Sequence, residues 1–334
     1  MLSHGGKLRE ASRTYQIPLD QWVDLSTGVN PRCYPIPEIS VQAWNRLPED
    51  DDGLVSAACD YYRCSSLLPV AGSQAAIQAL PHIRRQFHPQ SRKVAIPRVG
   101  YREHGHAWLK QGYEILAYDF EPTAEQLAEA DVVLVINPNN PTGYFIDPHK
   151  LLGWHQQLSK RHAWLVVDEA FMDCSPDWSI SSESNQQNLV VLRSVGKFFG
   201  LAGIRAGFVL ARPEVLKAFQ EYLGPWGVPG PSREVCTAAF RDVPWQAMNF
   251  AFLQEGSHRL KSLLEQYFKD VAGTMLFQRV LIDGADELHR ELCQQGVFTR
   301  LLDEKNGVRF GLPGSETEWQ RLEQCLQAVA INLG

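Results

Sequence analysis

Asp131-Val132-Val133-Leu134-Val135-Ile136-Asn137-Pro138-Asn139-Asn140-Pro141-Thr142-Gly143 decides how the rest of the chain is read. Its apolar run, Val132 to Ile136, has no polar face, which suits a strand buried on both sides of a sheet. The amide- and proline-rich run behind it is long for a plain turn. It follows the strand's carboxyl end, where open α/β sheets hold their ligands.

Outward from this stretch, short β-rich runs alternate with amphipathic ones from residue 68 to about 211. The candidate strands are Leu67–Ala71, Lys93–Ile96, Glu114–Tyr118, Asp131–Ile136, Ala163–Val167, Leu189–Arg193 and Ala206–Leu210. Helical patterns fall between several of them, at Ser73–Arg85, Arg102–Lys110, Thr123–Glu129 and Pro148–Arg161. Alternation of this kind predicts an α/β fold with a mostly parallel seven-stranded sheet. The last two strands are joined by too short a stretch for an ordinary helix, so the sheet is expected to be mixed.

The breaker-rich segment Gly224 to Pro231 reads as a rigid connection. Beyond it come a helix (Trp245–Phe268), a strand (Met275–Leu281), a helix (Ala285–Gln295), two short strands (Phe298–Leu302 and Val308–Gly311) and a last helix (Glu316–Ile331). The expected domains are a large one over residues 46–225 and a small α+β one over 226–334. Residues 1–45 are expected to pack beside the small domain.

Composition removes several classes. The chain has 334 residues, 44% hydrophobic and 21% charged, which is ordinary for a globular protein and excludes a disordered one. A net charge of −6, with basic residues spread along the chain, gives no basic groove for nucleic acid or an anionic membrane. Apolar runs such as Val132–Ile136 are far short of the about 20 residues a membrane span needs. The first ten residues do not resemble a signal peptide. The seven cysteines show no Cys-x-x-Cys spacing and read as reduced thiols of a cytoplasmic protein. His104-x-His106 is the nearest approach to a metal pair, but nothing frames it, so no metal site is expected.

Four places carry chemistry. Asp168 ends the run Trp164 to Val167, which sets its carboxylate at the end of a buried strand; by itself it reads equally as a helix cap. Lys197 follows the strand ending at Arg193 in Ser194-Val195-Gly196-Lys197-Phe198-Phe199-Gly200. Its apolar neighbours favour a neutral, nucleophilic amine over a merely solvated one. Gly72-Ser73-Gln74 follows a strand and opens a helix, either as a simple capped start or as a phosphate site at the positive end of the helix dipole. The fourth is the Asn137 to Gly143 loop.

Together Gly72-Ser73-Gln74, Tyr101, Asn137 to Gly143, Asp168-Glu169-Ala170 and Ser194-x-x-Lys197 with Arg205 resemble the fold-type I pyridoxal-phosphate enzymes, the aminotransferase superfamily. The resemblance spans nearly the whole chain and implies the aspartate aminotransferase-like fold. It implies that Lys197 carries pyridoxal 5'-phosphate as a Schiff base and that Asp168 pairs with the ring nitrogen. Tyr101 would stack on the ring and Asn140 would bond its phenolic oxygen. Gly72, Ser73, Gln74, Ser194 and Arg205 would bind the phosphate. A buried carboxylate keeps such a ring nitrogen protonated, which is what an electron sink requires.

A narrower resemblance, to the threonine-phosphate decarboxylase family of cobalamin biosynthesis, rests on further strings. They are His4-Gly5-Gly6, Asp24 to Pro31, Asp168-Glu169-Ala170-Phe171, Lys197 to Arg205 and Gly224-Pro225-Trp226. It implies decarboxylation of L-threonine O-phosphate to (R)-1-amino-2-propanol O-phosphate by a homodimer. His4, Gly5, Asn30, Asn140, Arg300 and Arg309 would bind the substrate. Two departures separate the chain from histidinol-phosphate aminotransferases, the alternative reading. Phe171 stands where many aminotransferases have tyrosine, and Leu47 where related enzymes have a tyrosine reaching the neighbouring subunit. A ligand-sensing transcription regulator is the non-enzymatic rival, and residues 1–45 carry no basic helical pattern for a helix-turn-helix.

Overall fold

The structure, a computed structural model, describes residues 5–333. It divides into two compact units: Tyr34–Asn140 with Tyr144–Pro244, and the residues through Cys33 with Pro141–Gly143 and those from Trp245 onward.

The chain opens in the smaller unit with α1 (Leu8–Tyr15) and the two-residue strand β1 (Val23–Asp24). The sheet unit begins with α2 (Val41–Asn45), α3 (Leu54–Tyr62), β2 (Leu67–Val70), α4 (Ser73–Phe87) and β3 (Lys93–Pro97). It continues with α5 (Glu103–Lys110), β4 (Glu114–Tyr118), α6 (Ala124–Glu129), β5 (Val132–Ile136) and α7 (Pro148–Ser159). Then come β6 (Trp164–Asp168), β7 (Leu189–Ser194), β8 (Gly207–Leu210), α8 (Pro213–Leu223) and α9 (Gly230–Arg241).

Its seven strands lie in the order β2-β8-β7-β6-β5-β3-β4. Only β8 is antiparallel to its neighbours, so the sheet is mixed as the short β7–β8 connection requires. This one reversal has a positional consequence. The carboxyl ends of β2, β3, β5, β6 and β7 and the start of β8 all reach the same edge. All five side chains of β5 are buried, which the unbroken apolar run demands. On one face Ile77, Leu80, Ile83, Trp108 and Phe219 from α4, α5 and α8 pack with Val94, Leu134, Val166 and Val190. Each such side chain contributes about 1.5–3 kcal/mol through burial.

Helix starts in this unit follow two patterns. Thr123 closes a reciprocal capping box on α6, and Asp147 accepts from the first amides of α7, behind a proline at its first turn. The 15-residue α4 has no side-chain cap, and the Gly72 before it has φ +73°. Its first amides therefore face the sheet edge available to a ligand.

The smaller unit resumes with α10 (Val243–Leu264), β9 (Asp270–Thr274), β10 (Phe277–Leu281), α11 (Ala285–Gln294), β11 (Val297–Phe298), β12 (Arg300–Leu301), β13 (Gly307–Gly311) and α12 (Glu316–Leu333). An antiparallel sheet runs β12-β13-β10-β9, and β1 pairs in parallel with β11.

Several features differ from the sequence reading. The strand expected over Met275–Leu281 is the second arm of a hairpin; Asp270-Val271-Ala272-Gly273-Thr274 is poor in strand formers and is strand because β10 pairs with it. The strand expected over Phe298–Leu302 is split at Thr299, whose hydroxyl bonds His289 Nδ1 at 2.8 Å. Helix α1 has no counterpart among the expected elements. Residues 34–45 and 226–244 pack with the sheet unit, so the boundaries lie at 33/34 and 244/245. Tyr34 N donates to the Phe199 carbonyl at 2.8 Å. Gly230 sits so close to α2 that a Cβ there would lie 2.3 Å from the Ala43 oxygen. Among the described residues no helix is long and apolar enough to cross a membrane.

Candidate active site

At the β2 end of the sheet edge, the uncapped start of α4 meets the start of β8. A Cβ on Gly207 would fall 2.6 Å from the Ser73 nitrogen and 2.8 Å from the Arg193 oxygen, so only glycine allows this approach. The Arg205 guanidinium lies over Gly72, with Nη2 2.7 Å from where a Cβ would stand. Ser194 pairs in register with Gly207 and ends β7. Gly72, Ser73, Ser194 and Arg205 are thus brought together, with helix amides and a guanidinium facing one place.

Toward the sheet centre, Asp168 is buried at the end of β6. Its Oδ1 accepts the Ala170 amide at 3.0 Å, and its Oδ2 accepts from His104 Nε2 at 2.7 Å. The backbone carbonyl of Asp168 accepts from Asn137 N at 2.9 Å, tying the β5 loop to the same point. His104 is buried on α5, one helical turn from Tyr101. Tyr101 OH donates to Gln74 Oε1 at 3.1 Å. Burial, with the nearby Glu103 and Asp168 charges, pushes the Tyr101 phenol up to about 12, so it is a neutral donor at ordinary pH. The Gln74 side chain is occupied by this bond and by Glu103; its backbone belongs to the first turn of α4.

Lys197 sits in the β7–β8 connection, its Nζ 5.5 Å from the centre of the Phe171 ring. Phenylalanine there offers the amine a π face where tyrosine would offer a hydroxyl. In the β5 loop Asn140 is half-buried. Its neighbour Asn139 is buried and donates from Nδ2 to the Val99 carbonyl at 2.9 Å, holding the segment before Tyr101.

On the other face of the sheet lies a buried ionic group. Arg193 Nη1 donates to Glu169 Oε2 at 2.5 Å, Nη2 donates to Asp173, and the guanidinium lies 4.5 Å from the Tyr62 ring centre. Glu169 also accepts from Ser179 Oγ at 2.5 Å and Ile180 N at 2.9 Å. Burial raises the Asp173 carboxyl; it also opposes the Arg193 charge, but Asp173 and Glu169 outweigh that and hold Arg193 protonated. Glu169 follows Asp168 and Arg193 precedes Ser194, so this group fixes the ends of β6 and β7 from behind.

The smaller unit holds the remaining candidates except His4, which lies outside the described residues. Arg309 is buried on β13, donates from Nη2 to the Ser26 carbonyl at 2.7 Å and lies 5.3 Å from the Phe277 ring centre. Burial and the neighbouring Arg300 lower its pKa to about 10. Register explains that neighbour: Arg300, Arg309 and Arg279 stand directly opposite one another across β12, β13 and β10, on one face. Arg300 is paired to Asp303 at 2.8 Å and Arg279 to Asp270 at 3.0 Å. Gly5 lies against the same Ser26 carbonyl, where a Cβ would come within 2.3 Å, and Gly6 N donates to Ser26 Oγ at 2.8 Å. Both arms of the Asn30 amide bond inside the unit, to Asn249 and to Arg32 N. A cavity of about 400 Å³ is lined by Gly5, Lys7, Ser26, His289, Arg300 and Lys305, among others.

Three contributors escaped the sequence reading. His104 registered only as half of a metal pair, and its partner is 64 residues distant. Arg193 had a visible signal, a charge closing the apolar run Leu189 to Leu192. Arg279 had none.

The chain belongs to the family Aminotransferase class I and II, whose sequence profile matches residues 51–322. This is a family of pyridoxal-phosphate enzymes. Within it the chain is similar to a threonine-phosphate decarboxylase of Pseudomonas aeruginosa, 48% identical over 330 residues, 98% of this chain and 97% of that one. A threonine-phosphate decarboxylase of a Sinorhizobium species is 38% identical over 335 residues, 98% of each chain. Among solved structures, histidinol-phosphate aminotransferase from Sinorhizobium meliloti in complex with pyridoxal-5'-phosphate superposes with a TM-score of 0.82 at 16% identity, over 100% of this chain and 99% of that one. At that identity the likeness is one of fold. The residues present fit the cofactor: the glycine-lined approach of α4 to β8 leaves amides and Arg205 for a phosphate, and buried Asp168 suits a protonated ring nitrogen.

Proposed function

We propose that this protein decarboxylates L-threonine O-phosphate, with pyridoxal phosphate as cofactor, giving (R)-1-amino-2-propanol O-phosphate in cobalamin biosynthesis. The observation that carries the reading is 48% identity maintained across 98% of the chain. The arginine row gives it chemical sense, since the substrate carries a carboxylate and a phosphate dianion.

When bound, pyridoxal phosphate supplies the sink for the electron pair left at the substrate's α-carbon. In this reading Lys197 bonds the cofactor covalently, as a Schiff base. Asp168 holds a proton at the ring nitrogen, and His104 orients that carboxylate. Gly72, Ser73, Gln74 through its backbone, Ser194 and Arg205 hold the phosphate, Tyr101 covers the ring face and Asn140 donates to the ring oxygen. Arg309 takes the substrate carboxylate; Arg300, His4, Gly5 and Asn30 serve its phosphate end. Two anchored anions leave the substrate one orientation, so remote binding energy selects which bond at the α-carbon is set to break. The Lys197 amine would return a proton to that carbon.

We also infer a cytoplasmic homodimer. Ile36, Val41, Trp44 and Leu47 are exposed within one segment of the sheet unit, an apolar surface that a second copy would cover.

The test is incubation of the protein with pyridoxal phosphate and L-threonine O-phosphate in deuterium oxide. One carbon dioxide per amine formed, and one deuteron at the former α-carbon, is the expected result. Stoichiometric conversion of 2-oxoglutarate to glutamate without carbon dioxide would replace this reading with an aminotransferase.

A further inference from the structure

Behind Tyr101 stands a hydrogen-bond chain with a fixed polarity. Glu103, in the first turn of α5, accepts from Gln74 Nε2 at 2.7 Å and from Gln78 Nε2 at 3.2 Å. Both glutamines are on α4. Gln74 Oε1 in turn accepts from the Tyr101 hydroxyl at 3.1 Å.

A carboxylate only accepts hydrogen bonds, whereas an amide has one end of each kind. Glu103 therefore compels Gln74 to turn its NH2 toward α5, which leaves Oε1 facing Tyr101. A side-chain amide without such a neighbour can present either end. We propose that Glu103, acting through Gln74, is a positioning residue that holds the Tyr101 ring at the tilt needed to cover the cofactor. The inference rests on the reading in which Tyr101 faces pyridoxal phosphate. The neutral state of Tyr101, with its phenol pushed up to about 12, keeps it a donor throughout the working pH range, so the chain never reverses. Gln78 supplies a second bond to the same carboxylate oxygen.

The polarity makes the relay testable by exchange. In Gln74→Glu two carboxylates meet, and the link to α5 is lost. In the pair Gln74→Glu with Glu103→Gln, position 103 regains an NH2 to donate and position 74 still accepts from Tyr101, so the chain is restored with its charge moved. The measurements are the dissociation constant for pyridoxal phosphate and the visible circular dichroism of the bound cofactor, with each variant's melting temperature as a control for folding. Glu103→Ala, Gln74→Glu and Tyr101→Phe should each weaken cofactor binding by about 3- to 10-fold, the worth of one net hydrogen bond, and shrink the visible band. The exchanged pair should return to within about twofold of wild type. Tyr101→Phe combined with Glu103→Ala should lose no more than either alone, because both break one chain.

If Tyr101→Ala alters binding and the visible band while the Glu103 and Gln74 variants do not, the relay is wrong and the stacking reading stands. Additive losses in Tyr101→Phe with Glu103→Ala would also overturn it. A silent Tyr101→Ala would remove the stacking reading and the relay with it. Should Gln74→Glu fail to fold, Tyr101→Phe, Glu103→Ala and their combination decide the matter.

Discussion

In the sheet unit the buried carboxylates at the strand ends meet partners of the same unit: Asp168 meets His104, and Glu169 and Asp173 meet Arg193. In the smaller unit three arginines face one another across β10, β13 and β12, and the middle one, Arg309, binds a neutral carbonyl. Like charges directly opposite on a sheet are unfavourable, and burial adds to the penalty on Arg309. The first arrangement pairs opposite charges within the unit and holds strand ends in place. The second gathers like charges in one row, with Arg300 and Arg279 paired at its ends to Asp303 and Asp270. In the proposed function, the contrast separates residues that hold strand ends from residues that recognise the substrate.

That separation is open to attack at its strongest point first. Asp168→Ala should lower turnover by about 10³-fold or more with the cofactor still held, measured as kcat beside the visible absorbance of bound cofactor. Near wild-type turnover would reduce Asp168 to a partner for His104, one more internally satisfied carboxylate. Next, Arg193→Met strands two buried carboxylates and should lower unfolding stability by about 3–5 kcal/mol in urea titration. Adding Glu169→Gln and Asp173→Asn should recover much of that loss; a cost for Arg193→Met under about 1 kcal/mol would show that the group does not hold the strand ends.

The smaller unit should respond in the opposite way. Arg309→Ala should cost about 10- to 100-fold in kcat/KM, the worth of one charge-assisted bond, and less stability than Arg193→Met. Arg300→Ala should impair L-threonine O-phosphate far more than threonine, and equal losses on both would show that it does not read the phosphate. Arg279→Ala, with its charge already met by Asp270, should change kcat/KM least, by about threefold or less. A large stability loss from Arg309→Ala would erase the distinction between the two units.

What could be read beforehand follows the same division. Asp168, Ser194, Lys197 and the Gly72-Ser73-Gln74 turn each come directly after their own strand, so one apolar run and its punctuation locate them. The sheet's single reversal was visible in the brevity of the segment between Arg193 and Ala206. His104 was not, because its partner is joined to it only through the packing of α5 on the sheet. The arginine row was not, because strand register depends on which residues face each other across separate strands. The break at Thr299 depends on a histidine from α11, and β9 on its hairpin partner; neither leaves a mark in local propensity.

Gly207 has no side chain to donate, accept or stack, and it stands where the backbones of β8, β7 and α4 meet. Under random mutagenesis every missense allele at this codon adds a Cβ into the Ser73 amide and the Arg193 carbonyl. Such alleles would be recovered in a genetic selection alongside those of Lys197 and Asp168, and the map alone would mistake an empty volume for a catalytic group.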